Sequence, residues 1–541
     1  MNRRTFLGSG PLAGAAAVTA LAGRTETTVA GQVPAFELDE ATVDDLQRRM
    51  AAGELTARDI AGRYLARIEA IDRRGPTLNS VIETNPEALA IAAERDRERA
   101  AGHVRGPLHG IPVLVKDNLD TADRMMTTAG SLALEYAPPP ERDAFVVARL
   151  REAGAVLLGK TNLSEWANFR SSRSTSGWSG RGGQTRHPYV LDRNPCGSSS
   201  GSGVAASANL ATLTIGTETD GSIVCPASIC GLVGVKPTLG LVSRGGIIPI
   251  AASQDTAGPM ARTVRDAALL LGAIAGADPR DAVTRLQRGK IADYAAGLDP
   301  LALRGRRLGV ARQMAGFNER VDALFERALA VLRKQGAVLV DPANVPETPG
   351  LGDAELEVLL FEFKAGLAAY FAERGRPNGL ASLKDVVEYN QNERARELRY
   401  FGQDLFVKAQ ERGPLTSPTY LAARRKCRSG TRALGIDAVC TAHRLDALVA
   451  PTTGPAWVTD PLSGDHYTGG SASTVPAVAG YPHVTVPMGH VAGLPVGLSF
   501  FGRAWSEATL LAMAFSFEQA SKHRAAPRFL PSVDLGAIEP L

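Results

Sequence analysis

Two hydrophobic periodicities alternate along this chain. Within residues 42–72 the apolar side chains recur at helical spacing, with Ile60, Tyr64, Ile68 and Ile71 on one stripe. This predicts two short amphipathic helices, the second opened by a cap pair of Thr56 and Asp59. A third helix is predicted over residues 86–101. Short, uninterrupted apolar runs bounded by glycine and proline follow at residues 111–115, 155–158 and 211–215. Such runs suit strands buried on both faces of a mainly parallel sheet.

From about residue 278 to 434 the pattern turns helical and polar, apart from strand-like pieces at 307–311 and 337–340. Sheet-like runs return at 447–450, 483–486 and 496–501. Sheet on both sides of a helical stretch implies one core assembled from distant segments. At 541 residues the chain exceeds the size at which cores usually divide. Its composition, 44% hydrophobic and 21% charged with no low-complexity block between halves, argues against division. The expectation is one large α/β domain over residues 31–541. Its central mixed, mostly parallel sheet is covered by helices on both faces, with a helical insert at about 278–434.

The 60 basic and 56 acidic residues leave a formal charge of +4, spread along the chain. Clusters such as Arg424, Arg425 and Lys426 sit among helical residues and read as a solvated face. No basic stripe suggests nucleic acid. Beyond the N-terminus no apolar run approaches the roughly 20 residues that span a bilayer.

The N-terminus departs from this picture. Arg3-Arg4-Thr-Phe-Leu7, followed by an apolar, Ala/Gly-rich stretch to Ala22, resembles a twin-arginine export signal occupying residues 1–30. Export implies a periplasmic or secreted location with no membrane anchor once the signal is removed. Five cysteines, Cys196, Cys225, Cys230, Cys427 and Cys440, are too few for a disulfide framework, and all five are expected to be buried and inert.

Three segments carry candidate chemistry. Asn194-Pro-Cys-Gly-Ser-Ser-Ser-Gly-Ser-Gly203 is too rich in glycine and serine for a helix interior and is expected to be a loop. Gly216-Thr-Glu-Thr-Asp-Gly-Ser222 follows the run at 211–215. A turn leaving a buried strand for a helix aims backbone N–H groups at one point, which suits an oxyanion. Upstream, the run at 111–115 delivers Lys116 at its end.

Together these segments resemble the amidase signature family. Gly110-Ile-Pro-Val-Leu-Val-Lys-Asp117, Gly197-Ser-Ser-Ser-Gly201 and Gly216-Thr-Glu-Thr-Asp-Gly-Ser222 match its motifs in order and spacing. Cys230-Gly-Leu-Val-Gly-Val-Lys-Pro-Thr238 and Asp255-Thr-Ala-Gly-Pro259 extend the likeness, which covers roughly residues 40–525 in all. The runs from Leu191 to Cys196 and from Asp446 to Gly454 draw it toward the branch that removes ammonia from C-terminally amidated peptides. The resemblance implies Ser222 as nucleophile and Lys116 as base. Ser198 would bridge them through a cis peptide bond, with Ser199 in support. An oxyanion hole would form from the backbone of Thr219, Asp220, Gly221 and Ser222. Cys196 and Ser200 stand where many members carry glycine. The resemblance implies no cofactor and no metal, and a monomer that takes a small-molecule or peptide amide without nucleic acid.

The chemistry agrees with these roles. A serine hydroxyl needs a base, and a free lysine, titrating near ~10.4, is charged at neutral pH and can accept no proton until burial lowers it. Two other patterns are set aside. Gly197-Ser-Ser-Ser-Gly201 fits a nucleophile elbow with Ser199 at its centre, but Asp192-Arg-Asn-Pro195 breaks the strand an elbow needs. Gly154-Ala-Val-Leu-Leu-Gly-Lys-Thr161 fits a phosphate loop literally, yet its interior is a buried strand. His187 is read as a structural histidine. The alternatives that remain are an amidase of another substrate branch, acting on aliphatic, aromatic or fatty acyl amides, or an amidotransferase A-type subunit. Trp457 and its neighbours after Thr453 are candidates for the wall of a blind leaving-group pocket.

Overall fold

The computed structural model describes residues 33–287 and 289–538; residues 1–30, read above as resembling an export signal, lie outside the described residues. The N-terminal helices form as their periodicity predicts. They are α1 (Val43–Ala51), α2 (Ala57–Arg67) and α3 (Ala88–Ala100). Thr56 and Asp59 close a reciprocal capping box at the start of α2. The helix α4 (Phe145–Glu152) follows.

One eleven-stranded sheet runs through the molecule. Its strands are β1 (Val81–Thr84), β2 (Pro112–Lys116), β3 (Val156–Thr161), β4 (Leu213–Glu218), β5 (Val233–Lys236) and β6 (Thr256–Ala261). They continue with β7 (Arg307–Val310), β8 (Val338–Val340), β9 (Ala447–Pro451), β10 (His483–Val491) and β11 (Leu494–Phe501). The spatial order is β1-β3-β2-β4-β6-β5-β10-β11-β9-β7-β8. Both faces are covered. Along β9, Ala447 and Val449 join one hydrophobic cluster while Leu448 and Ala450 join another.

The mixed sheet is as expected, but parallel pairing does not dominate it. β3, β2 and β4 pair in parallel at one flank, and β9, β7 and β8 at the other. Between β4 and β9 every neighbouring pair is antiparallel. A strand covered on both faces is apolar throughout whichever way its neighbour runs, so its composition does not report direction. Direction here follows from connections such as the two-residue turn Ala492-Gly493 between β10 and β11. Both of its residues have positive φ, as a hairpin turn matching strand twist requires.

Within residues 278–434, β7 and β8 belong to this same sheet, so the purely helical part is narrower than predicted. It holds the long helices Leu351–Glu373 and Pro418–Thr431. Phe363, Leu367, Phe371 and Phe406 from it pack with Ala129, Trp166, Phe169 and Ile250, which closes the helical part over loops at the C-terminal ends of the sheet. Arg424, Arg425 and Lys426 lie exposed on the Pro418–Thr431 helix. Among the described residues no helix is long and apolar enough to cross a membrane.

Candidate active site

The site forms where two parallel strands end side by side. β2 and β4 pair with Val113 opposite Leu213 and Val115 opposite Ile215. That register brings Lys116, the last residue of β2, beside Thr217. Lys116 is completely buried, and its Nζ donates to Ser198 Oγ (2.8 Å), Ser199 Oγ (3.0 Å), Thr217 Oγ1 (2.8 Å) and the Thr217 carbonyl (3.3 Å). Among the described residues no carboxylate pairs with it. Burial pulls its amine down to about 7, against the weaker opposing pull of the Asp255 and Glu218 charges.

Ser198 and Ser199 come from the glycine- and serine-rich segment, which is not a loop throughout. Residues 194–199 are irregular, with a cis peptide bond between Gly197 and Ser198, and α5 (Ser200–Ser207) follows at once. Serine and glycine are poor helix formers, yet every residue of α5 is buried, so packing overrides propensity. Gly201 is required there, because a Cβ would lie 2.3 Å from the Ser80 carbonyl oxygen and 2.4 Å from that of Asn162.

Ser222 stands in the turn between β4 and α6 (Val224–Ile229). The Ser199 amide donates to the Ser222 carbonyl at 3.2 Å and so joins the two serine segments. Lys116, Ser198 and Ser222 are 0%, 1% and 9% exposed, so the path from surface to amine passes Ser222 first. Glu218 Oε2 accepts from the amides of Ile223 and Val224 and caps α6. Asp220 accepts from Ser473 and Thr474, and Thr219 Oγ1 donates to Asp255. Side chains thus hold this turn from three sides. The backbone amides of Thr219, Asp220, Gly221 and Ser222 donate to no protein acceptor among the described residues.

Ser199 is placed otherwise. Its hydroxyl donates to the Thr217 carbonyl (3.0 Å) and accepts from the Thr217 amide (3.1 Å) and Lys116. That hydroxyl is fully buried with its hydrogen committed, and residues 194–199 are irregular, so no strand leads into it as an elbow requires. Lys160, from the segment that resembles a phosphate loop, lies buried in β3 and donates to the Leu119 carbonyl. His187 accepts from the Val190 amide and donates to the Ile229 carbonyl; burial holds it near 4, a neutral structural ring.

The cysteines depart from expectation. Cys196 and Cys225 form a disulfide, and only Cys230, Cys427 and Cys440 are free and buried. The two lie 29 residues apart in sequence, and only the return of the chain through β4 brings their Cα atoms to 6.2 Å. Trp457 packs with Cys196 and Cys225, donates to Asp465 and meets Tyr467 edge-on, so it lies beside the Ser198 segment. Thr217 and Asn118, whose Nδ2 donates to Thr217 Oγ1 at 3.0 Å, were not singled out from sequence. The signal available was their place within or next to the two motifs that carry Lys116 and Ser222.

The chain belongs to the amidase family, whose profile matches residues 59–511. It is a hydrolase acting on amide C–N bonds. A probable amidase of Arabidopsis thaliana is 40% identical over 505 residues, covering 92% of this chain and 93% of the relative. The A-type subunit of a Moorella thermoacetica glutamyl-tRNA(Gln) amidotransferase is 36% identical, covering 91% and 99%. Among solved structures, the native peptide amidase of Stenotrophomonas maltophilia is 54% identical with a TM-score of 0.87, covering 92% of this chain and all of that one. A peptide amidase in complex with the competitive inhibitor chymostatin, also 54% identical, superposes with a TM-score of 0.89 and covers 91% and 100%.

Proposed function

We propose that this protein deamidates the C-terminal carboxamides of peptides, releasing ammonia, with Ser222 as nucleophile, Ser198 as proton relay and Lys116 as base. The observation that carries the catalytic part is the 2.8 Å contact of a fully buried, carboxylate-free Lys116 amine with Ser198 Oγ. A neutral amine has two N–H groups and one lone pair. In this neutral form Ser199 Oγ and Thr217 Oγ1 keep the two N–H groups, and the Ser198 contact, a donation from the charged amine, reverses so that Ser198 Oγ donates to the lone pair.

Ser222 Oγ attacks the amide carbon while its proton passes to Ser198, whose own proton moves to Lys116. The new oxyanion takes hydrogen bonds from the free amides of the Thr219–Ser222 turn. The C–N bond then breaks as the nitrogen recovers a proton along the same relay and leaves as ammonia. Water attacks the Ser222 ester by the reverse route and yields the carboxylic acid. The substrate class is supported by the 54% identity to peptide amidases across nine-tenths of the chain.

The test is to incubate the enzyme with an N-acylated peptide amide, without ATP or tRNA, and follow ammonia and product mass. Conversion of the terminal amide alone to the acid is expected. Internal cleavage, or activity confined to fatty acyl or aromatic amides, would overturn the substrate assignment. A requirement for a protein partner would point to the amidotransferase role.

We also propose that the protein acts outside the reducing cytoplasm, as the paired Arg3 and Arg4 suggest. The Cys196–Cys225 cross-link supports this, since such bonds persist in oxidising compartments.

A further inference from the structure

We infer that the Cys196–Cys225 disulfide is a positioning element of the catalytic site, holding Ser198 in register with Ser222. The inference rests on the catalytic roles proposed above. Cys196 lies two residues before Ser198, and Cys225 lies three residues after Ser222 in the first turn of α6. The bond therefore ties the segment that presents Ser198 directly to the helix that starts behind Ser222.

The other direct links are a long contact of Cys230 Sγ with the Pro195 carbonyl (4.0 Å) and one backbone hydrogen bond, from the Ser199 amide to the Ser222 carbonyl at 3.2 Å. That bond constrains Ser199, whose side chain faces Lys116 and Thr217. The Ser198 carbonyl accepts from the Ser164 amide at 3.0 Å, which holds the residue to another loop but not to Ser222. Upstream of Ser198, the Cys196 amide donates to Asn194 Oδ1 and the Cys196 carbonyl accepts from Ser200 Oγ, while Asn194 is itself held by the Trp457 and Ser176 carbonyls and by Asp465. The disulfide is the covalent tie from this segment to the start of α6, and α6 is itself anchored through Glu218 at its first turn.

The backbone at Cys196 adds a second argument. Its φ is 60°, a conformation that glycine adopts without a side-chain clash. A cysteine at a position suited to glycine is explained by what its sulfur does. The bond is also open to chemistry: Cys196 is buried, but Cys225 is partly exposed. A shift of ~1 Å between Ser198 and Ser222 would cost on the order of 100-fold in turnover without disturbing how the peptide binds.

The experiment compares the oxidised enzyme, the enzyme treated with dithiothreitol, Cys225→Ser, and the double variant Cys196→Gly/Cys225→Ser. Dithiothreitol supplies two electrons and two protons to give two thiols and becomes the cyclic disulfide. Alkylation after unfolding, read by mass spectrometry, should mark Cys230, Cys427 and Cys440 alone in the oxidised enzyme. Reduction and Cys225→Ser should each lower kcat by roughly 10- to 100-fold with KM within about twofold, at unchanged circular dichroism, and reoxidation should restore the reduced enzyme. The double variant separates bridging from backbone conformation and should remain as slow as Cys225→Ser.

Alkylation at all five cysteines of the untreated enzyme would overturn the proposal. So would full kcat in Cys225→Ser, recovery in the double variant, or a loss of rate that only follows the unfolded fraction. Ser198→Ala and Ser222→Ala are assayed alongside. If they stay active, the catalytic assignment itself has failed; if they are inactive while Cys225→Ser is unimpaired, only the role of the bond has.

Discussion

Lys116 Nζ lies 2.8 Å from Ser198 Oγ, while Ser199, the next residue, has already given its proton to the Thr217 carbonyl. Two adjacent serines that share one amine thus differ in their hydrogen bonding, and the proposed roles turn that difference into predictions. Ser222→Ala should lose at least about 10⁴-fold in kcat with the fold intact, since the hydroxyl it removes bears the reaction. Ser198→Ala should be severely slowed as well, but less so where a water can take the place of the hydroxyl. Ser199→Ala leaves a buried Thr217 amide without its partner, so it should lose about 1–3 kcal/mol of stability and keep measurable turnover. Chemical denaturation and ammonia release on the three variants check the order. An inactive Ser199→Ala beside an active Ser222→Ala would restore the elbow reading.

Thr217→Val isolates one contact of the base. The substitution keeps the shape and removes Oγ1, which accepts from Lys116 Nζ and Asn118 Nδ2. Losing an acceptor disfavours the charged amine, so the acid limb of the rate profile should move to lower pH. The plateau should fall about tenfold, because the lone pair is no longer aimed at Ser198. A limb that stays in place would mean that Thr217 does not touch the titrating group.

The site was more legible than the sheet. Lys116, Ser198 and Ser222 were singled out because their motifs together resemble the amidase signature, and the structure brings the Lys116 amine against Ser198 and joins the Ser199 and Ser222 segments. The pairing of strands was not legible, since β5, β6 and β9–β11 are buried on both faces and read alike in either direction. The helix at Ser200–Ser207 was hidden for the opposite reason: Gly201 is there to admit Ser80 and Asn162, a packing requirement that local propensity does not contain. The Cys196–Cys225 bond was hidden because its two cysteines lie 29 residues apart and meet only through the tertiary arrangement of the chain between them.

Export should depend on Arg3 and Arg4. A twin-arginine receptor reads the pair as an address, not as bulk charge, so replacing both with lysine should retain the precursor in the cytoplasm. Cell fractionation followed by immunoblotting checks this. Normal periplasmic or secreted yield from the Lys-Lys variant would refute the export proposal.

The proposed base also leaves a signature in stability, because a buried lysine with a lowered proton affinity makes stability depend on pH in a way that a solvated lysine does not. Each tenfold change in proton affinity is worth about 1.4 kcal/mol, so holding Lys116 at about 7 instead of 10.5 costs the folded state ~5 kcal/mol near pH 7. Below pH 7 the amine is charged in both states and the cost is constant. Between pH 7 and 10.5 the folded protein has released the proton while the unfolded chain still binds it, so this group makes stability rise with pH across that window. Lys116→Met removes the charge while retaining an unbranched apolar stem. It should abolish turnover and yet raise stability at pH 7 by ~1–3 kcal/mol, the remainder being lost with the hydrogen bonds that Nζ makes to Ser198, Ser199 and Thr217. Its advantage should shrink toward pH 10. The measurement is urea unfolding of both proteins at about pH 6, 8 and 10, which bracket the window. In the wild type, turnover should fall on the acid side with a midpoint near 7. A methionine variant less stable than wild type at every pH would show that Lys116 is charged and well solvated by its partners, and the general-base role would have to be abandoned.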